Sequence, residues 1–359
     1  MSMPTKADSR VHQSRPLAFF NLVHERFSLA EKSAGSPVDI FVEIGGYNVR
    51  LRFAGPALVP FVMPALQHLV VSAGAKPDLD ICLWDSTSTG TQMPPPPWSE
   101  KDYALRCAIN GFADDRIRTA FNLRSAVINL CDMQRDLAIF WIRDARELPF
   151  FERAAPLVYI FSWWLGSHGR QLVHCGAVGF PEGGALLPGK SGSGKSSTCL
   201  RCLDSPLSYA GDDFCLVSSA PSPHLYSLYN SGKVEAKNLG YFPYLEKSLG
   251  NAEYLEQEDP RFFLYPEFAS KLSAGFPLKV ILLPRVTGRK ETTLKKTSAA
   301  EVLLMLAPST ILQLPETGGA AFKNLAQIAK QVPGYILELG SDRSLIAPAI
   351  SELLTSLNH

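Results

Sequence analysis

The sequence has no long apolar run. Its most apolar short stretch, Leu157 to Leu165, lies between Pro156 and Gly166 and falls far short of the roughly 20 residues a membrane-spanning helix needs. An excess of one charge is also missing. Lys and Arg number 35 against 34 Asp and Glu, a formal net charge of +1, so charge gives no reason to expect nucleic acid or a membrane surface as a partner. The cysteines are few, odd in number and scattered: Cys82, Cys107, Cys131, Cys175, Cys199, Cys202 and Cys215. Only Cys199 and Cys202 form a C-x-x-C, and a zinc knuckle would need a second pair. They read as buried thiols of a reducing compartment. The first residues, to Arg15, are polar and lack the apolar segment of an export signal. The expected location is therefore the cytoplasm, with residues 1–15 a disordered tail.

What is present is the composition of a globular protein. With 359 residues, 46% hydrophobic and 19% charged, the chain can bury a sizeable core as two domains or one large one. Phe41 to Phe53 alternates around Gly45-Gly46 and reads as a hairpin. Leu58 to Val71 reads as a helix interrupted by Pro60 and Pro64, Asp80 to Trp84 as a strand, and Ser86 to Trp98 as a loop. Tyr103–Ile109, Thr119–Leu123, Ala126–Leu130 and Leu137–Ile142 read as further short strands. Residues 16–148 are thus expected to form a strand-rich α+β domain, with a boundary near Arg146 to Pro149. From there to residue 359 strands alternate with helices: a helix over Phe150–Gly166, strands over Leu172–Val178, Gly184–Pro188 and Leu207–Val217, a helix from Lys195 to Leu203, a strand over Leu278–Pro284, helices over Ala299–Leu306 and Ala320–Gln331, a strand over Tyr335–Leu339 and a closing helix over Leu345–Leu357. That order predicts a sheet flanked by helices.

Gly189-Lys190-Ser191-Gly192-Ser193-Gly194-Lys195-Ser196 matches G-x-x-x-x-G-K-S/T. Glycines let the main chain turn so that successive N–H groups face one anion, and the helix that follows adds its positive end. The Lys195 ammonium would reach the β- and γ-phosphates, and the Ser196 hydroxyl would ligate Mg²⁺. The apolar strand Ala185-Leu186-Leu187 precedes the loop, and a helix-compatible run from Ser196 through Ser197 to Leu203 follows it. ATP and Mg²⁺ are the expected ligands, with Gly189 to Ser197 around the phosphates.

Such a loop commonly works with an Asp at the end of a neighbouring strand. Asp212 and Asp213 follow Leu207-Ser208-Tyr209-Ala210-Gly211. Two adjacent carboxylates let roles separate, one holding metal and the other taking a proton. Both reach one site only if the strand ends or bulges there, which Gly211 permits. Taken alone, the pair also reads as a turn at a strand end.

Three features in order, His174-Cys175-Gly176-Ala177-Val178, the glycine loop, and Gly211-Asp212-Asp213 one helix later, resemble the catalytic domain of the HPr kinase/phosphorylase family. The match is best from about Gln171 to Val217 and is nearest to the HPr-kinase-related branch, which includes serine kinases acting on lasso precursors and other ribosomally made peptides. The resemblance implies an α/β fold: a P-loop kinase domain with a mixed sheet flanked by helices, akin to that of phosphoenolpyruvate carboxykinase, beside the strand-rich N-terminal domain. It implies an ATP-dependent kinase acting on a serine hydroxyl of a peptide or small protein, with His174 beside the phosphates, Asp212 as base and Asp213, with Ser196, on Mg²⁺. The family forms hexamers, so a homo-oligomer is a possible state. Two features of the bifunctional members are absent. Ser197 stands where they carry Glu, and no E-x-R-G signature follows. Both bear on phosphorolysis and on HPr as substrate, whereas the kinase reaction needs only the loop, a metal and a base.

A cation on the transferring group would assist. Lys233, beside Gly232, is the first candidate, with Lys237 and Arg285 behind it, and a solvated surface lysine is the plain alternative. Two other functions fit the same residues: a kinase for a small hydroxylated metabolite, and a nucleotide-dependent regulatory module without transfer.

Overall fold

In a computed structural model of the chain, which describes residues 14–74, 76–190, 192–311 and 318–357, the alternation around Gly45-Gly46 closes a hairpin of β1 (Val38–Ile44) and β2 (Tyr47–Phe53). Both glycines take positive φ, 61° and 84°, as a tight hairpin turn requires. Ahead of it lies α1 (Arg15–Ala34), started by Ser14, whose hydroxyl accepts the N–H of Leu17. Arg15 therefore belongs to a helix and not to the expected tail. Residues 1–13 of that tail lie outside the described residues. Phe19, Phe20, Val23 and Phe27 form the buried stripe of α1, at helical spacing.

The chain continues through α2 (Val59–Leu66), β3 (Val70–Val71), β4 (Leu79–Asp85), the single turn α3 (Ser86–Thr89), β5 (Ile117–Asn122), β6 (Val127–Asp132) and β7 (Leu137–Ile142). The strands make a seven-stranded sheet in the order β3-β1-β2-β4-β7-β6-β5. Successive strand residues serve opposite faces. Cys82, Trp84, Ile139 and Trp141 pack with α1, while Ile81, Leu83, Ala138 and Phe140 pack with α2 and with a later helix over Val158–Ser167. The strand expected over Tyr103–Ile109 is reduced to two isolated bridges, one between those two residues and one from Ala108 to Ala120. Arg106 and Cys107 between them take φ of 59° and 64°, which no extended strand admits.

The helix expected over Phe150–Gly166 divides into α4 (Phe150–Ala154) and α5 (Val158–Ser167). Pro156 has no N–H to give a helix, and Leu157 turns left-handed at φ 61°. The second sheet follows: β8 (Gln171–Val173), β9 (Cys175–Phe180), β10 (Gly183–Pro188), α6 (Lys195–Arg201), β11 (Ser208–Gly211), β12 (Cys215–Ser218), β13 (His224–Tyr226), β14 (Ser231–Lys233), β15 (Arg261–Phe263), β16 (Gly275–Val286), β17 (Thr293–Thr297), α7 (Ala299–Ile311), α8 (Gly318–Gln331), β18 (Gly334–Leu339) and α9 (Ile346–Leu357). Nine of these strands form one mixed sheet along the path β11-β9-β10-β16-β13-β12-β8, with β18 beside β16 and β17 beside β18, and β14 and β15 form a separate ribbon. The chain is thus mixed α/β, with mixed sheets flanked by helices. The expected boundary near Arg146–Pro149 falls between β7 and α4, yet the core crosses it. Leu172, Leu216 and Tyr229 join the first sheet's core, and the Asn230 amide donates to the Pro64 carbonyl at 2.8 Å. Among the described residues no helix is long and apolar enough to cross a membrane.

Two expected strands are split at corresponding places. Leu172–Val178 breaks at His174, and Leu207–Val217 breaks over Asp212, Asp213 and Phe214. Because β9 pairs with β11 and β8 with β12, the two breaks lie across from each other in what would otherwise be one long antiparallel pair.

Candidate active site

The direction of the strands puts these breaks at one edge of the second sheet. β16 runs parallel to β10, and β18 parallel to β16. β11 and β10 both run antiparallel to β9. The carboxyl ends of β10, β11, β16 and β18 therefore share an edge, where open α/β sheets hold ligands. The loop after β10, the aspartates after β11 and His174, just before β9, all meet there.

The glycine loop needs its glycines for space as well as for rotation. Gly192 and Gly194 take φ of 78° and 94°. A Cβ on Gly189 would lie 2.4 Å from Ser193 Oγ, and one on Gly194 2.5 Å from Leu339 Cδ1. Within the loop Ser193 donates its N–H to the Lys190 carbonyl at 3.2 Å. The N–H of Thr198 is the first of α6 to bond back, to Gly194 O at 2.9 Å, so the N–H groups of Gly194 through Ser197 have no intrahelical partner. α6 has only seven residues, so these amides and Lys195 matter more here than a long helix dipole. Ser191 lies outside the described residues.

Lys195 is 5% exposed. Its ammonium lies 3.1 Å from His174 Nε2 and touches no carboxylate among the described residues. The same ring nitrogen lies 3.5 Å from Asp213 Oδ1. One nitrogen cannot accept from the ammonium and donate to the carboxylate at once, so His174 is shared between the two. Its main-chain N–H donates to Thr310 Oγ1 at 3.3 Å.

The aspartates differ sharply. Asp212 is 1% exposed. Its Oδ2 accepts the main-chain N–H of Lys233 at 3.3 Å, and its buried Oδ1 has no hydrogen-bond partner among the described residues. Burial, and then the adjacent Asp213 charge, push the Asp212 carboxyl up to about 6, against the pull of Lys195 and the Ser196 hydroxyl. The Asp213 side chain keeps 32% of its surface open. Burial opposes its charge too, but the hydrogen bond from His174 and the charges of Lys195 and Arg261 hold it well below the usual carboxylate range. The main chain explains the difference in aim. A register shift in β11 between Tyr209 and Gly211 precedes a tight turn in which Phe214 donates to Asp212 O at 2.9 Å. Asp213, at the apex, is left at φ 66°, a strained conformation that neighbouring structure must hold. The Cys175 N–H does so, donating to Asp213 O at 3.1 Å. Gly176 lets α6 close on this edge, since a Cβ there would lie 2.3 Å from Cys199 Sγ.

These groups border a cleft of about 1030 Å³. Of the residues singled out from the sequence, His174, Lys190, Gly192, Ser193, Gly194, Lys195, Ser196, Ser197, Asp213 and Lys233 line it, whereas Gly189 and Asp212 lie beneath its surface. The candidate cations separate. Arg285 is absent from the cleft wall and pairs with Glu301 at 3.7 Å. Lys237 is bound to Glu235 at 2.7 Å. Lys233 Nζ sits 3.0 Å from Asp259 Oδ2, so it is the main chain of Lys233 that ties it to the aspartates. Sequence reasoning missed Arg261. It lies across the ribbon from Lys233, 16% exposed, with Nη1 3.9 Å from Asp213 Oδ2. Its Nε is buried without a hydrogen-bond partner among the described residues. No local motif marks it, because only the β14–β15 register brings it to Asp213. All seven cysteines are free thiols, and Cys199 and Cys202 are buried.

No family model matches the chain, and no curated protein does. Among solved structures it is similar to the Hpr(Ser) kinase/phosphatase from Coxiella burnetii, at 9% sequence identity and a TM-score of 0.32, over 53% of this chain and 99% of that one. The likeness is remote.

Proposed function

We propose that the chain is a kinase that binds ATP with Mg²⁺ in the loop Gly189 to Ser196 and transfers the γ-phosphoryl group to a serine hydroxyl of a peptide or small protein. One observation carries this reading: the Lys195 ammonium, 5% exposed, stands at the end of a glycine loop with no carboxylate partner among the described residues. A buried cation is costly unless an anion completes it, and a loop of free main-chain amides is where a phosphate would supply one.

The donor set also fits Mg²⁺. Ser196 and the unpartnered Oδ1 of Asp212 are hard oxygen donors. Among the described residues no group of three or more His, Cys, Asp or Glu could hold a metal, and Mg²⁺ bound with substrate phosphates needs only one or two carboxylates. Bound Mg²⁺ would neutralise charge on the transferring phosphate.

Reach favours an exchange of the roles expected for the two aspartates. Asp212, buried beside Ser196 and Lys195, would hold the metal. Asp213, open to the cleft, would accept the acceptor's proton. The hydrogen bond from His174, with the charges of Lys195 and Arg261, keeps that carboxylate ionised. A cleft of about 1030 Å³ is at the upper end for small-molecule sites, which leaves room for an acceptor segment beside a nucleotide.

The test is a transfer assay with ATP, Mg²⁺ and a panel of serine peptides and small hydroxylated metabolites, read as phosphorylated product. Asp213→Asn is expected to lower turnover about 10²- to 10⁴-fold, the usual worth of a positioned base, with ATP affinity kept. Full activity in that variant would reject the base assignment, and product only from metabolites would reject the peptide acceptor.

A further inference from the structure

The cleft continues on the other side of the loop from Asp213. Strand order makes this so: β11 and β9 flank β10 on one side, β16 and β18 on the other. The far wall is formed by Val286 at the end of β16, Leu339 at the end of β18, and Arg343 just before α9, facing Tyr241 from the turns after β14. Nothing in the phosphate chemistry uses these residues.

Their exposure is unusual for their type. Val286 is 63% exposed and Tyr241 51%, although both line a concave surface. The Arg343 guanidinium carbon stands 3.4 Å from the centroid of the Tyr241 ring and enters no ion pair among the described residues. Tyr241 is held from α6, where Arg201 donates to its carbonyl at 3.2 Å. Leu339 and Val286 press on the loop itself. A Cβ on Gly194 would lie 2.5 Å from Leu339 Cδ1 and 3.5 Å from Val286 Cγ2. An open aromatic ring, a planar cation and an aliphatic floor thus stand beside the phosphate loop.

We infer that this wall binds the base of the nucleotide, with an aromatic nucleobase stacked on the Tyr241–Arg343 pair above Val286 and Leu339. Stacking on an aromatic ring or a guanidinium plane tolerates any base, because every base presents a π-face. The inference rests on the proposed phosphate site but adds a separate recognition element to it.

Calorimetric titration of the full chain with MgATP and with magnesium tripolyphosphate, which has the phosphates and no base, separates the two. The wild type should bind ATP more tightly than tripolyphosphate. Tyr241→Ala should weaken ATP by roughly 10- to 100-fold, the range for one lost stacking contact, and leave tripolyphosphate unchanged. Tyr241→Phe should bind like the wild type. Equal affinity of the wild type for both ligands, or unchanged ATP binding in Tyr241→Ala and Arg343→Ala, would overturn the inference while leaving the phosphate site standing. Failure of the wild type to bind either ligand would overturn both.

Discussion

The first sheet and the break in the second treat buried charge in opposite ways. In the first, buried or half-buried charges are completed by the protein. Asp132, with a fully buried side chain, receives Arg116 at 2.8 Å and is also bound by Arg135. Arg50 meets Asp80 at 2.5 Å, and Arg52 pairs with Glu31. Its central strands, β4 and β7, pair residue for residue over their length. In the second sheet the long pair is broken at His174 and at Asp212–Phe214, and the groups at the break are left short of partners: Lys195 without a carboxylate, Asp212 Oδ1 and Arg261 Nε without a hydrogen bond. A fold keeps such incomplete charge where a ligand completes it.

Breaking the completed kind should damage the fold and spare the site. Asp132→Ala is expected to cost about 3 kcal/mol of unfolding free energy, at the low end for removing one partner of a buried ion pair because both arginines keep access to water. Denaturant titration reads the loss, and nucleotide affinity should not change. A variant that unfolds normally but loses nucleotide binding would erase the distinction between the sheets.

Gly176→Ala tests the packing that brings α6 to the break. Its methyl would meet Cys199 Sγ at 2.3 Å, and overpacking of this kind costs roughly 1–3 kcal/mol. Unlike Asp132→Ala, it should lower stability and nucleotide affinity together, because Lys195 lies on the displaced helix.

Asp212→Asn should move stability in the other direction. Burial raises the folded-state value of this carboxyl to about 6, above its ordinary 3.8. Below the lower value the side chain is protonated in both states and the exchange gains nothing. As pH rises through the upper value the native protein must hold a buried anion, so Asn should stabilise by about 1–2 kcal/mol at pH 8, within the limit set by the shift. Melting curves at pH 4 and pH 8 check this. A variant less stable than the wild type at pH 8 would mean that Asp212 is already a completed charge.

Much of this was legible in the chain. The hairpin at Gly45-Gly46, β4, β7 and the alternation after Gln171 follow local pattern, and the glycine loop is contiguous, so its residues arrive together. The break at His174 was not legible, whereas a strand end or bulge at Gly211 was allowed for as the condition for both aspartates to reach one site. Leu207–Val217 stays apolar on both sides of Asp212-Asp213, and the pairing with β9 shows where the register shifts and the strand stops. The helix α1 has its signal in the spacing of Phe19, Val23 and Phe27, which a polar tail just before it obscured. Arg261 and Tyr241 reach the cleft through the β14–β15 ribbon and the turns around it, and no sequence neighbour announces them.

The central claim, that a phosphate tail completes the buried charge of Lys195, is tested most directly by calorimetric titration of MgATP into the wild type and into Lys195→Met. Losing the charge-assisted hydrogen bonds of one ammonium, each worth about 1.5–3 kcal/mol, should weaken binding by roughly 100-fold or more while the melting temperature holds or rises. Equal affinity in the two proteins would contradict the account.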